Sequence, residues 1–359
     1  MISEDSVRVA VVGDLLFTTP YTADRDTRGM EALTPEINAV FSGCDLVMAN
    51  LESTLPTQEC IRTEPRVFGT PQQFKSLRQA HINLISLANN HTFDALEGGF
   101  KQTRDTLDAL QINSFGAGAN LQQAQQCASF NIKGVRIAFI GAVAPSTGMK
   151  FFADAQTPGV AQLDTEAVCA NIKRLKKNHD HVILSPHWGD ERFRFPSPEQ
   201  IMQGRAFIDA GATAVLGHHP HVMQGIETYH DGIIAYSLGN FLSNPVYWES
   251  GDTLTWNRFE RSSQIIILKL DKQKMLYFEQ IPTLDDGISI RVDHTGRTGK
   301  YLKRADKFIQ HGITASKYKR EAFRVQKILP FKAQLRWNKL KRIRPGHFKK
   351  ALKLLLQKD

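Results

Sequence analysis

Val7-Arg8-Val9-Ala10-Val11-Val12-Gly13-Asp14 is an apolar, β-branched run that ends in a glycine and a carboxylate. A short run of this kind reads as a buried strand, with Gly13 expected to let the backbone turn before Asp14. The pattern recurs at 45–49, 84–88, 136–143, 181–185, 212–216 and 233–238, each run rich in Val, Ile and Leu and closing on Gly, Asn or Pro. Helix candidates lie between them at 35–41, 72–80, 97–110, 165–177 and 198–210. In the last of these Ser197 offers an N-cap, Pro198 the N1 position and Gln200 the N3 partner of a capping box. Strands alternating with helices predict an α/β architecture whose loops gather at the strand ends.

After residue 240 the rhythm changes. Residues 264–270 and 275–282 read as an antiparallel pair joined through Asp271-Lys272-Gln273-Lys274, and 246–261 as a long aromatic and polar loop. The 359 residues are 42% hydrophobic and 23% charged, ordinary values for a globular protein. Four scattered cysteines, Cys44, Cys60, Cys127 and Cys169, give neither a thiolate zinc site nor a disulfide framework. No apolar run approaches the roughly 20 residues needed to cross a bilayer. The start carries Glu4 and Asp5 and lacks the basic and apolar regions of a signal peptide, so a cytoplasmic location is expected.

The net charge of +9 conceals an asymmetry. Residues 300–359 hold 19 Lys and Arg against three acids, whereas 1–299 hold 26 against 33. The expected organisation is therefore a domain over 1–298 and a basic, mostly helical tail over 299–359, interrupted by Pro330 and Pro345. Such a tail reads either as a solvated helical face packed on the body or as a surface-binding element. Its apolar residues from Phe323 to Ile343 and 352–356, interleaved with Lys and Arg, suit an interfacial helix on an anionic membrane. A peripheral position at the inner membrane follows from that reading. No nucleic-acid recognition motif accompanies the basic residues, and none is expected as a partner.

The strand ends carry the chemistry. Asn50 and Glu52, two apart, point to the same side of an extended chain. Asn89, Asn90 and His91 are poor core formers at a strand exit, and Asp94 stands where it can orient His91 through its second ring nitrogen. His187 ends another apolar run, with Asp190 and Glu191 close behind. His219-Pro220-His221 places two imidazoles on one face if extended, and three of the chain's twelve histidines fall within 218–221. A set of Asp, Glu, Asn and His without thiolates suits Zn, Mn, Fe or another divalent first-row ion.

Taken in order, Gly13-Asp14, Asn50-Leu51-Glu52, Ala88-Asn89-Asn90-His91 with Asp94, His187-Trp188-Gly189 with Glu191, Gly217-His218-His219-Pro220-His221 and Tyr236-Ser237-Leu238-Gly239-Asn240-Phe241 resemble the CapA family of capsule and poly-γ-glutamate biosynthesis proteins. That family belongs with the calcineurin-like metallophosphoesterases, and the resemblance covers about residues 7–245. It implies a four-layer α/β/β/α sandwich with one or two divalent ions at the strand ends. Asp14, Glu52, Asn90, His187, His219 and His221 resemble the ligands, with Glu52 in place of a bridging Asp. His91 resembles the histidine that contacts phosphate and acts as general acid, with Asp94 beside it. Asn50, Asn89, Glu191 and Asn240 complete the expected set as substrate-binding groups. Two departures stand out: Leu16 occupies the position of a ligand His, and the bridge is one methylene longer. The resemblance implies hydrolysis of a phosphoester in surface-polymer biosynthesis, with an anionic polymer or its phosphorylated precursor as partner. The alternative is a non-catalytic, metal-containing factor assisting assembly or export of such a polymer.

Overall fold

The computed structural model describes residues 6–21 and 27–334. Two sheets dominate the described residues. The first runs Ile290–Val292, Met275–Asp285, Ser262–Leu270, Val7–Leu16, Leu46–Leu51, Leu84–Ser86 and Asn113–Phe115, with Asn240–Ser243 parallel to the end of Val7–Leu16. The second runs Ile226–Tyr229, Gly232–Ala235, Ala214–Leu216, His181–His187, Val135–Val143 and Ala128–Ile132.

Strand alternation explains how one apolar run serves two cores. Val7, Val9 and Val11 face the second sheet, packing in one cluster with Ile137, Phe139, Ile183 and Leu216. Ala10 and Val12 face the other way, among Ile37, Phe41, Phe74 and Leu77 of the helices Pro35–Ser42 and Pro71–Gln79. On the far side of the second sheet, Ile140, Val182 and Leu184 pack against Val168, Ile172 and Phe207 of Thr165–Leu175 and Pro198–Asp209. Helices, sheet, sheet and helices make the four-layer sandwich that the resemblance implies. The capping box of Ser197 and Gln200 forms as expected, and Thr70 and Gln73 form another. The pair Ser262–Leu270 and Met275–Asp285 is antiparallel, its turn held by Asp271 Oδ1 accepting from the amides of Gln273 and Lys274 at 2.7 Å each.

Three expectations change. Gly13 is no turn: the strand continues to Leu16, and a Cβ on Gly13 would lie 1.9 Å from the Gly239 carbonyl oxygen. The glycine is there to let the two backbones meet, and the Asp14 amide donates to Gly239 O at 2.9 Å. The segment 246–261 contains a small hairpin, Val246–Tyr247 with Thr253–Leu254, and buries Trp256 beside Leu16 and Val67. The basic region begins with a helix, Arg297–Gln310, that straddles the boundary drawn at 298 and buries Leu302, Ala305 and Ile309 on the body.

The next helix, Ala315–Phe323, grips the loop that follows His187. Glu321 accepts a forked pair from Arg194, at 3.0 Å from Nε and 2.7 Å from Nη2. Tyr318 donates to Asp190, and Arg324 donates to the Arg192 carbonyl at 2.8 Å. No helix among the described residues is long and apolar enough to cross a membrane. Most of the expected interfacial stretch, from residue 335 on, lies outside the described residues.

Candidate metal centre

The parallel strands of both sheets end at one edge, where ligand sites of open α/β sheets form. Asp14 comes from the end of Val7–Leu16, Asn50 and Glu52 from the end of Leu46–Leu51, and Asn89 to His91 from the exit of Leu84–Ser86. His187 closes His181–His187, and an isolated bridge to His218 joins that strand to the 217–221 loop. Gly217 lets the loop lie against the following segment, since a Cβ there would sit 2.2 Å from the Tyr236 carbonyl oxygen.

Glu52 is at the centre. It is 0% exposed, and its Oε1 lies 3.5 Å from His221 Nε2, 3.8 Å from His187 Nε2 and 3.9 Å from His91 Nε2. Neither Glu52 oxygen has a hydrogen-bond partner, nor do His187 Nδ1, His218 Nε2 and His219 Nδ1, all buried. Buried polar atoms are normally satisfied, so a carboxylate with no hydrogen bond at either oxygen, among three histidines that each leave a ring nitrogen unpaired, marks a place built for something else. Donor atoms bound to one ion by bonds of about 2.1 Å lie roughly 3 to 3.5 Å apart. The Asn90 Oδ1 to His187 Nε2 separation of 2.9 Å and the Glu52 to His221 separation fit that scale. Glu52, His187 and His219 form one group of converging donors, and Asp14, Glu52 and His221 another. Both draw on the expected ligands, so the residues present fit divalent ions.

The supporting bonds fix which ring nitrogens face inward. Asn240 gives its amide nitrogen to the Glu260 carbonyl at 3.1 Å, leaving Oδ1 to accept from His221 Nδ1 at 2.9 Å. His221 Nε2 is thereby aimed at Glu52. Asp94 Oδ2 pairs with His91 Nδ1 at 2.7 Å while accepting from the Val67 amide, so His91 presents Nε2 to the same centre. Asn50 donates to Asp14 at 2.9 Å, and Asn89 donates to Asn50 and to the Leu51 carbonyl. Asn50, Asn89 and Asn240, expected at the substrate, are 0% exposed, and the bonds above turn their side chains toward Asp14, Asn50 and His221.

Electrostatics follow from this crowding. Burial pushes the Glu52 carboxyl up to about 8, with the Asp14 charge adding to it and His221 and His91 opposing. Burial alone would lower His221, but Glu52 and Asp14 raise it to about 10. Burial likewise opposes the His91 proton, and Asp94 and Glu52 outweigh it, giving about 9. His219 is pushed down to about 4 by burial. Burial raises Asp14, yet hydrogen bonds from His218 and His221 hold it well below the carboxylate range. Acids and bases so strongly displaced in one place are characteristic of functional sites.

Two features escaped the sequence reading. His218 contacts Asp14 Oδ1 through Nδ1 at 3.1 Å, and only its presence in the histidine-rich island could have signalled this. His219 and His221 are not extended but left-handed, with φ of 97° and 57°. Their rings converge, centroids 5.9 Å apart, through an unfavourable backbone rather than through strand alternation. Leu16, where a ligand His was noted as missing, is 1% exposed and packed with Val67, Val246 and Trp256.

A family model described as bacterial capsule synthesis protein PGA_cap matches residues 8–245. The PGA biosynthesis protein CapA of Bacillus subtilis (strain 168) is 31% identical over 284 residues, covering 78% of this chain and 72% of the relative. The capsule biosynthesis protein CapA of Bacillus anthracis is 27% identical over 261 residues, covering 69% of this chain and 62% of the relative, so the chain spans less than two thirds of that protein. Among solved structures, a putative 5'-nucleotidase from Staphylococcus aureus is similar at 14% identity, with a TM-score of 0.48, over 84% of this chain and 58% of that one.

Proposed function

Because the chain belongs to the family of bacterial capsule synthesis proteins, PGA_cap, we propose that it serves surface-polymer biosynthesis through a metal-dependent site that hydrolyses a phosphoester. The observation that carries this reading is Glu52: a buried carboxylate with no hydrogen bond at either oxygen, its Oε1 facing three imidazole Nε2 atoms within 3.9 Å. Asp14, Glu52, Asn90, His187, His219 and His221 would hold one or two divalent ions. Such ions supply the positive charge that polarises a phosphoryl oxygen and acidifies an attacking water. His91, held by Asp94 with Nε2 inward and raised to about 9 against burial by Asp94 and Glu52 in the metal-free site, is placed to protonate the leaving group.

The test is hydrolysis of an aryl phosphoester by the Mn²⁺-loaded protein. His91→Ala should lower kcat by roughly 10²- to 10⁴-fold, the usual contribution of a general acid, with bound metal unchanged by elemental analysis. Equal kcat in variant and parent would refute the assignment of His91. The buried Leu16 favours a second reading, a non-catalytic site that grips a carboxylate or phosphate of an anionic polymer. Tightly bound metal with no turnover of phosphomonoesters, diesters or lipid-linked phosphates would select it.

We further propose an anionic membrane surface as partner of the basic C-terminal residues, each contributing about 1 kcal/mol near such a surface. Deleting residues 335–359 should release the protein from anionic vesicles, and equal sedimentation of both forms would refute it. The cut belongs after 334, because Glu321 and Arg324 hold the loop behind His187.

A further inference from the structure

Glu191 was expected to touch substrate, yet a carboxylate facing a phosphate or a polycarboxylate repels it. Its surroundings suit a cation instead. The Glu191 carboxylate, His219 and His221 offer donor atoms all within 4.8 Å of one another, a third group that shares His219 with one of the two described above and His221 with the other. Glu191 is exposed at the rim, and no hydrogen bond or ion pair engages its carboxylate among the described residues. His219 Nδ1 is buried and unpartnered. The arginine next in sequence is turned away: Arg192, left-handed at φ 65°, extends over Trp256 and pairs with Glu260 at 3.3 Å. The Arg192 amide meanwhile donates to the Pro220 carbonyl at 2.8 Å, tying the Glu191 loop to the two histidines by backbone.

We propose that Glu191 is a metal ligand, supplying with His219 and His221 the donor set that the apolar Leu16 withholds. This rests on the metal-centre reading of the previous section. Glu191 is exposed where Asp14 and Glu52 are buried, so it would approach an ion from the solvent side. An ion held there also screens the carboxylate from an anionic substrate.

Bound Mn²⁺ in the full-length protein, counted by elemental analysis after dialysis and titrated by calorimetry, tests this. Glu191→Gln, exposed and so tolerated by the fold, should weaken the most weakly held Mn²⁺ at least tenfold or remove it. Glu191→Asp should recover part of the loss, which a purely structural residue would not show. If Glu191→Gln binds Mn²⁺ with parental number and affinity while Glu52→Gln loses it, Glu191 is no ligand and the central site stands. If the parent protein itself binds no Mn²⁺, both this assignment and the proposed function fall.

Discussion

Glu52→Gln should leave the protein unable to retain divalent metal through dialysis and lower phosphoester hydrolysis by about a thousandfold or more. Glu52 belongs to both central donor groups, one with His187 and His219 and the other with Asp14 and His221. An amide in its place offers one neutral oxygen where a carboxylate offers two charged ones. Bound metal provides several kcal/mol of transition-state charge stabilisation, and about 4 kcal/mol corresponds to roughly a thousandfold in rate. The same substitution should act oppositely on the metal-free fold. The Glu52 carboxyl rises from 4.5 to about 8 on folding, chiefly through burial. Its burden is therefore absent below pH 4.5, grows as pH rises, and is full near pH 8. In chelator, Glu52→Gln should unfold at an equal or higher temperature than the parent, with the gap widening between pH 5 and 8. Retained metal in the variant, or a lower melting temperature in chelator at pH 8, would contradict the role given to this residue.

Gly13→Ala should destabilise the protein by about 3 kcal/mol or more, at the upper end of what overpacking costs. The added methyl group would stand 1.9 Å from one backbone oxygen and 3.2 Å from Ser263 Oγ, with no flexible side chain to yield. The two strands would have to part where the Asp14 amide meets Gly239 O, and Asn240 follows immediately. Thermal unfolding should fall by roughly 6 to 12 °C, from about 2 to 4 °C per kcal/mol for a chain this large, and metal affinity should fall with it. A melting temperature within 2 °C of the parent would show that the strands separate without cost.

Gly13 also shows where the sequence reading ends. A glycine after a valine run signals a special backbone position, but whether it turns or makes room depends on Gly239, 226 residues later. The strands were legible because burial on both faces demands continuous apolar side chains, as at 7–12 and 181–185. The candidate ligands were conspicuous because Asp, Asn and His at strand exits have no packing reason to be there. The buried asparagines were less so: Asn50 and Asn240 carry the same polarity whether they face substrate or a ligand's back. Short, mixed strands such as Asn113–Phe115 and Ile226–Tyr229 carry too little pattern and form through their neighbours. The left-handed turns at His219 and His221 are imposed by tertiary contacts, and nothing local to His-Pro-His announces them.

The docking of Ala315–Phe323 has a mechanical consequence. A pull on the helix Ala315–Phe323 is carried by Glu321 and Tyr318 to Arg194 and Asp190. Those two residues flank Glu191 and Arg192 in the same short loop. Load on the helix Ala315–Phe323 is thus borne at the mouth of the candidate metal centre, in the loop that carries Glu191.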